Sequence, residues 1–309
     1  MTTFFLNRLA TEPHALAFAG QSTPWPVALA DQTTDPSLDE ALRGHVAAAG
    51  RLLTPVAADL LATTGRPVDL FGFTPNPARL GAAADATASV EGVALTQLGA
   101  LLDLEHLGYS VAQAKPLAVL GHSQGVLAVH MTRAIEAAGS IEAAGKTLDE
   151  ILAVAALIGA AGTRRVRELG LNPKYGEASP MLSVKGATRE QVEALVARVN
   201  NARGPISIAV TNSDNHHVLS GYPEDLAAFA LEAEREHKHQ AKLREQKLHG
   251  GTVFNPTLEY LEVTLPFHSP LMADAVEQTV AWAGACGFDQ KRTRALAEEV
   301  LLNHVDWNA

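Results

Sequence analysis

The sequence predicts an α/β protein in which a small β-α-β-β-α-β subdomain interrupts a larger core built on parallel strands. Three observations predict it. Hydrophobic residues make up 47% of the chain but aromatics only 5%. The core is therefore mainly Ala, Leu and Val, which suits helices on a parallel sheet better than a β-sandwich. Short apolar runs at Ala15–Phe18 and Leu117–Leu120 each end in a glycine turn with helical patterns downstream. From Ser179 the rhythm changes to short strands alternating with helices.

Each element has a local reason. "ALAF", Ala15–Phe18, reads as a buried strand, and helical patterns follow around Leu38–Thr64. Leu70–Val90 is rich in Pro, Gly and Ala and reads mostly as loop. "GVALTQLGALLDLEHLGY" places Leu95, Leu98 and Leu102 on one stripe of an amphipathic helix. Strand Leu117–Leu120 leads into "GHSQG" and a helix to about Ala138. "TLDEILAVAALIGAAGTRRVREL" opens on Thr147 and Glu150, a capping-box spacing, and reads as a long buried helix. In the smaller region "PMLSVKG" is a strand and "TREQVEALVARVN" a helix with Thr188 as N-cap. "ISIAVTN" and "HHVLSG" are strands, "YPEDLAAFALEAERE" a helix, and after a charged, irregular insert "YLEVTLPF" is the last strand. That order is ferredoxin-like. The expected division is a core of residues 1–178 and 265–309 with the ferredoxin-like subdomain at 179–264.

A chain of 309 residues is long enough for one large α/β domain carrying an inserted subdomain. The net charge of −10 argues against nucleic acid or an anionic membrane as a partner. One cysteine, Cys286, allows neither an internal disulfide nor a thiolate metal cluster, which suits a reducing cytoplasm. It sits among small residues, and a buried inert thiol is expected. The N-terminus carries Arg8 and Glu12 and is a poor signal peptide. The longest uncharged apolar run, Ile151–Gly162, falls short of the roughly 18–20 residues a bilayer needs. No metal-ligand spacing is present; the histidines of "HKH" are two apart, not four.

"GHSQG" has the G-x-S-x-G form of a nucleophile elbow on an α/β-hydrolase-like core. Its glycines allow a tight strand-to-helix turn that exposes Ser123 and aims the following backbone N–H groups at a developing oxyanion. The pentapeptide alone arises by chance in roughly one sequence in ten or twenty; the apolar strand before it and the helix after it give it meaning. A serine also needs a base. His122 is adjacent but would point away from the hydroxyl, supporting the turn. His268, in "LPFHSPLM", lies in a loop between Pro266 and Pro270 and suits a base better than His237 or His239 on a polar helix.

"AFAGQ", "GHSQG", "SPMLSVKGATREQV", "VTNSDNHHVLSG" and "LPFHSPLM" occur in the order and spacing of acyl-CoA:ACP transacylases. From Ala15 to Trp307 the chain most resembles the acetyltransferase domain of the type I fatty acid synthases of fungi and of mycobacteria and corynebacteria. The resemblance implies a ping-pong acyl transfer from acetyl-CoA to the phosphopantetheine thiol of an acyl carrier protein, with no cofactor consumed. It makes Ser123 the nucleophile and His268 the base. The oxyanion hole would be the backbone N–H groups of Gln21 and Gln124, and the carbonyl that orients His268 would come from near Val300. Asn212 falls at a position lining the acyl or pantetheine site, or is simply a turn residue between two strands. The family's large domain continues past "VDW", so the resemblance implies a piece of a longer synthase polypeptide, with its other domains as partners.

Malonyl-selective relatives carry an arginine just before a glycine in the helix after the nucleophile, and its fork pairs with the malonyl carboxylate. Here that position is Ile158, before Gly159. An unpaired carboxylate in an apolar pocket is strongly disfavoured, so acetyl is the expected acyl group. Gln124, where malonyl-handling domains usually have Leu, points the same way. Arg164 or Arg165 would restore malonyl only in a shifted register. The alternatives are a malonyl-CoA transacylase, a thioesterase using water, or a non-catalytic docking domain. In the locally basic insert Glu234–Gly251, Lys238, Lys242, Arg244 and Lys247 read first as a solvated face and second as a contact for CoA or carrier phosphate.

Overall fold

In the computed structural model, residues 8, 12–20, 24–65, 86–171, 178–199, 203–248 and 253–306 are described. The chain divides into two units: Met1–Arg165 with Ala275–Val300, and Val166–Asp274 with Leu301–Ala309.

The first unit holds a parallel pair of strands, β1 (Ala15–Phe18) and β2 (Ala118–Gly121), in register from Ala15 opposite Ala118 to Phe18 opposite Gly121. β1 lies where the sequence predicts it, but it alternates exposed and half-buried positions instead of being buried. Its helices are α1 (Trp25–Gln32), α2 (Pro36–Leu52), α3 (Ala57–Thr64), α4 (Ala86–His106), α5 (Val111–Ala114), α6 (Val126–Ala138), the body of α7 (Ile141–Glu168), α10 (Ala273–Ala285) and α11 (Gln290–Leu301). α2 shows why such helices form. Asp35 caps it by accepting from the N–H groups of Ser37 and Leu38, Pro36 occupies the first turn, and Leu38, Leu42, Val46 and Ala49 make the buried stripe.

Two helices depart from their sequence patterns. α4 is buried on every side from Ala86 to Gly99, so it is an interior helix and not a one-faced one. It begins at Ala86, turning the last residues of the expected 70–90 loop into helix; 70–85 lie outside the described residues. Small residues permit this burial: at Gly92 a Cβ would run into the Trp25 ring. α7 starts at Ile141, not at Thr147. Ser140 caps it, its Oγ accepting from the Ala143 N–H at 3.1 Å, and the Thr147–Glu150 spacing falls inside the helix. Ile151–Gly162 is buried throughout.

The second unit contains β3 (Met181–Lys185), α8 (Arg189–Val196), β4 (Ser207–Ser213), β5 (His216–Ser220), α9 (Pro223–Glu245), β6 (Thr257–Tyr260) and the short β7 (Val305–Asp306). The first six follow the β-α-β-β-α-β order. The sheet runs β6-β3-β5-β4-β7, with β7 parallel to β4 and the other neighbours antiparallel. Leu182, Val184, Val192, Leu195, Leu219, Leu226 and Phe229 form its core. Thr188 and Gln191 make a reciprocal capping box at the start of α8. α9 continues through most of the charged insert, which is helical to Glu245 and not irregular. Pairs four residues apart, such as Glu234 with Lys238 at 2.5 Å, support it there. The last strand covers Thr257–Tyr260, so only Tyr260 of the "YLEVTLPF" run is extended in the sheet. By contacts the second unit reaches beyond 179–264, because the His268 loop and the final residues bond to each other and to β4.

Candidate active site

Ser123 follows β2 with only His122 between them and opens a single 3-10 turn, Ser123–Gly125, that runs into α6. Its φ is +52°, in the left-handed region that side chains avoid. Such a residue costs about 1–3 kcal/mol and persists only where its surroundings hold it. Three glycines let them do so. A Cβ on Gly121 would lie 2.5 Å from the Gly125 carbonyl group, and one on Gly125 would strike the Phe18 carbonyl oxygen. A Cβ on Gly20, in the loop after β1, would lie 2.5 Å from the His122 carbonyl oxygen, 2.9 Å from the Ser123 Cβ and 3.1 Å from the Gln124 nitrogen. Bare backbone is therefore packed against the serine and against the N–H of the next residue. The His122 N–H donates to the Phe18 carbonyl at 2.9 Å, joining the turn to β1.

α4 ties down both sides of this turn. Gln124 is wholly buried, and its amide Nε2 donates to the Val90 carbonyl. Gln97 Nε2 donates to the Ala19 carbonyl at 2.6 Å, holding the loop that carries Gly20. Sequence reasoning missed Gln97; the signal was a glutamine on the helix between the apolar positions Leu95 and Leu98. Gln21, the other expected oxyanion donor, lies outside the described residues.

His268 lies in the second unit, 3% exposed, with a φ of +56°. Its backbone N–H donates to the Leu301 carbonyl at 2.8 Å, and its ring Nδ1 lies 2.7 Å from the Asn303 carbonyl. A carbonyl only accepts, so Nδ1 carries the proton and the lone pair of the neutral ring is on Nε2. The orienting carbonyl is thus Asn303, not Val300. Val300 sits in the last turn of α11, and the acceptor is presented three residues later, where the chain has left the helix. Ser269 Oγ accepts from the Leu271 N–H at 3.1 Å and fixes the turn after His268.

Ile158 is wholly buried in α7. Beside it Gly159 packs so closely on α4 that a Cβ would lie 2.9 Å from the Ala86 oxygen and the Thr87 Cα. Arg164 donates to Gln278 Oε1 at 2.7 Å. Asn212 is on β4, within a register shift between Thr211 and Ser213, and not in the turn that follows. Cys286 is partly and not fully buried, and burial pushes its thiol pKa up, away from a reactive thiolate. His237 Nδ1 is engaged with the Phe254 carbonyl. Ser123 with Gly20 and Gln124 falls in one unit, and His268 with Asn303 in the other.

Residues 180–260 match the family model of the fatty acid synthase central AT domain. That segment runs from just before β3 to the end of β6. Among curated proteins the chain is similar to fatty acid synthase 2 of Mycosarcoma maydis, 32% identical over 170 residues, covering 51% of this chain and 4% of that protein. It is also similar to the fatty acid synthase beta subunit TOXC of Cochliobolus carbonum, 29% identical over 163 residues, covering 48% of this chain and 8% of that one. The chain thus spans under a tenth of the length of either synthase. Among solved structures it shares the fold of a malonyl-transacylase determined with its type II PKS acyl-carrier protein, at a TM-score of 0.61 and 16% identity over 96% of this chain and 83% of that one. An acyl carrier protein S-malonyltransferase from Vibrio cholerae gives 0.59 at 15% identity, over 96% and 84%.

Proposed function

We propose that this chain is an acyl-CoA:acyl-carrier-protein transacylase of the fatty acid synthase type and that it loads acetyl. The observation that carries the reading is Ser123 held at a positive φ between β2 and α6, with the bare backbone of Gly20 against its Cβ and against the Gln124 nitrogen. In the proposed reaction His268 Nε2 takes the Ser123 proton as the hydroxyl oxygen attacks the thioester carbon of acetyl-CoA. The backbone N–H groups of Gln124 and Gln21 hold the oxyanion. The tetrahedral intermediate collapses, the C–S bond breaks, His268 returns the proton to the CoA thiolate, and acetyl-serine remains. The pantetheine thiol of a carrier protein then gives its proton to His268 and attacks the ester, releasing acetyl-pantetheine and Ser123. The Nδ1–H bond to Asn303 keeps the ring in the tautomer this requires.

The wholly buried Ile158 supports acetyl, because it offers no charge to a malonyl carboxylate. The fungal relatives support a place beside other synthase domains, and Asn212 is the proposed pantetheine-side contact. The proposed compartment is a reducing cytoplasm, which the single Cys286 suits. The test is acyl-enzyme mass after incubation with acetyl-CoA or malonyl-CoA, followed by holo carrier protein or buffer. Acetyl label that is lost to carrier protein but stable in buffer is expected, and Ser123→Ala should carry none. Label from malonyl-CoA alone overturns the acetyl assignment; equally fast loss to water would make the protein a thioesterase.

A further inference from the structure

We propose that His304 is a positioning residue that orients His268 through the peptide between Asn303 and His304; the proposal deepens the acyl-transfer reading and rests on it for its kinetic consequence. The carbonyl that accepts from His268 Nδ1 belongs to Asn303. That carbonyl and the His304 N–H are parts of one planar peptide, so whatever fixes His304 fixes the direction of the acceptor. Among the described residues β7 pairs Val305 with Val210 and Asp306 with Thr211, both beyond the Asn303–His304 peptide. The His304 ring ties that peptide to β4 directly. Its Nδ1 lies 2.9 Å from the Ile208 carbonyl, two positions before the β4–β7 ladder begins. Nδ1 must therefore donate, and the lone pair of the neutral ring is on Nε2, 3.4 Å from Thr211 Oγ1. Thr211 is buried, and its Oγ1 also lies 3.4 Å from Nδ1 of the wholly buried His217. The directions agree: His304 Nδ1–H donates to Ile208, and the Thr211 hydroxyl donates to His304 Nε2. A polar line thus runs from the buried Thr211 hydroxyl on β4 to the peptide that holds His268.

The test uses the full chain and the variants His304→Ala, His304→Asn and His304→Gln. The Asn amide nitrogen falls near the place of Nδ1 and can still donate to Ile208; the Gln amide reaches the place of Nε2 and cannot. Two readouts are taken: the Nδ1–H resonance of His268 in protein labelled with 15N-histidine, assigned by its loss in His268→Gln, and the single-turnover rate of Ser123 acetylation beside the dissociation constant for acetyl-CoA. Expected for His304→Ala and His304→Gln are loss of the protected resonance and acetylation slowed about ten-fold, with acetyl-CoA binding unchanged. His304→Asn should restore both. A resonance and rate retained in His304→Ala overturn the proposal, as does an Asn variant no better than the Gln variant. Wild-type protein that shows the resonance responding to His304 as expected but never forms an acyl-enzyme overturns the acyl-transfer reading and leaves the positioning of His268 established.

Discussion

Ser123 and His268 share a backbone feature: φ values of +52° and +56° at non-glycine residues in separate parts of the chain. Strain of this kind at two groups that the proposed chemistry needs fits stability yielding to geometry at a functional site. The space around Ser123 is just as demanding. Gly20→Ala would bring a methyl 2.5 Å from the His122 carbonyl oxygen and 2.9 Å from the Ser123 Cβ, both parts of the turn that cannot swing aside. It should cost about 1–3 kcal/mol in a urea titration and slow the acetylation proposed for Ser123 by about 100-fold. His217 sets a second expectation at this scale. Burial lowers its pKa from the ordinary 6.5, against the raising effects of the Asp214 backbone and Glu190 and together with the lowering effects of Arg189 and His304. Its imidazole is thus neutral in the fold, while the unfolded chain binds a proton below about pH 6.5, so stability falls as the pH drops through that value and toward the folded pKa. The urea midpoint should decline from about pH 7.5 to about pH 5.5, and His217→Gln should flatten that decline. An unchanged slope would show that other groups set it.

At the scale of elements, α4 does what its apolar pattern does not announce. It is buried all round, and it braces both flanks of the serine turn, receiving the Gln124 amide at Val90 and holding the Ala19 carbonyl through Gln97. Gln97 Oε1 is buried with no hydrogen-bond partner among the described residues, so replacing the side chain by Leu removes that acceptor together with the donor. Gln97→Leu should therefore change unfolding free energy by no more than about 1 kcal/mol, yet slow acetylation about ten-fold, because the loop carrying Gly20 loses its tether. A change in stability with no change in rate would assign Gln97 to packing alone. In the second unit Thr188 carries a purely local effect. Thr188→Ala opens the capping box and should lower stability by about 1 kcal/mol without altering acetylation.

At the scale of the whole molecule, His268, the proposed base, is held by residues more than thirty positions downstream of it: Leu301 takes its backbone N–H and Asn303 its ring N–H. A chain ending at Leu302 keeps α11 and the β3–β6 sheet but loses the acceptor and β7, and its acetylation should fall by about 100-fold or more. What the sequence determined alone was whatever depends on neighbours along the chain. The Ala15–Phe18 and 118–121 strands, the glycine-flanked Ser123 turn, the Thr188 cap and the β-α-β-β-α-β order are written in local periodicity and turn chemistry, which need no tertiary context to act. Long-range packing decided the rest. α7 starts at Ile141, capped by Ser140, and Thr147 ends up half-buried inside the helix, where its capping pattern goes unused. α9 runs on through the charged insert where Glu236 pairs with Arg198 at 2.6 Å and Gln240 Oε1 accepts from the Phe254 N–H at 2.8 Å. The carbonyl on His268 is Asn303 and not Val300 because it must point out of the last helical turn toward a ring brought there from another element. Nothing in the sequence around either residue encodes that direction; it is fixed where β7 and the His304 ring meet β4.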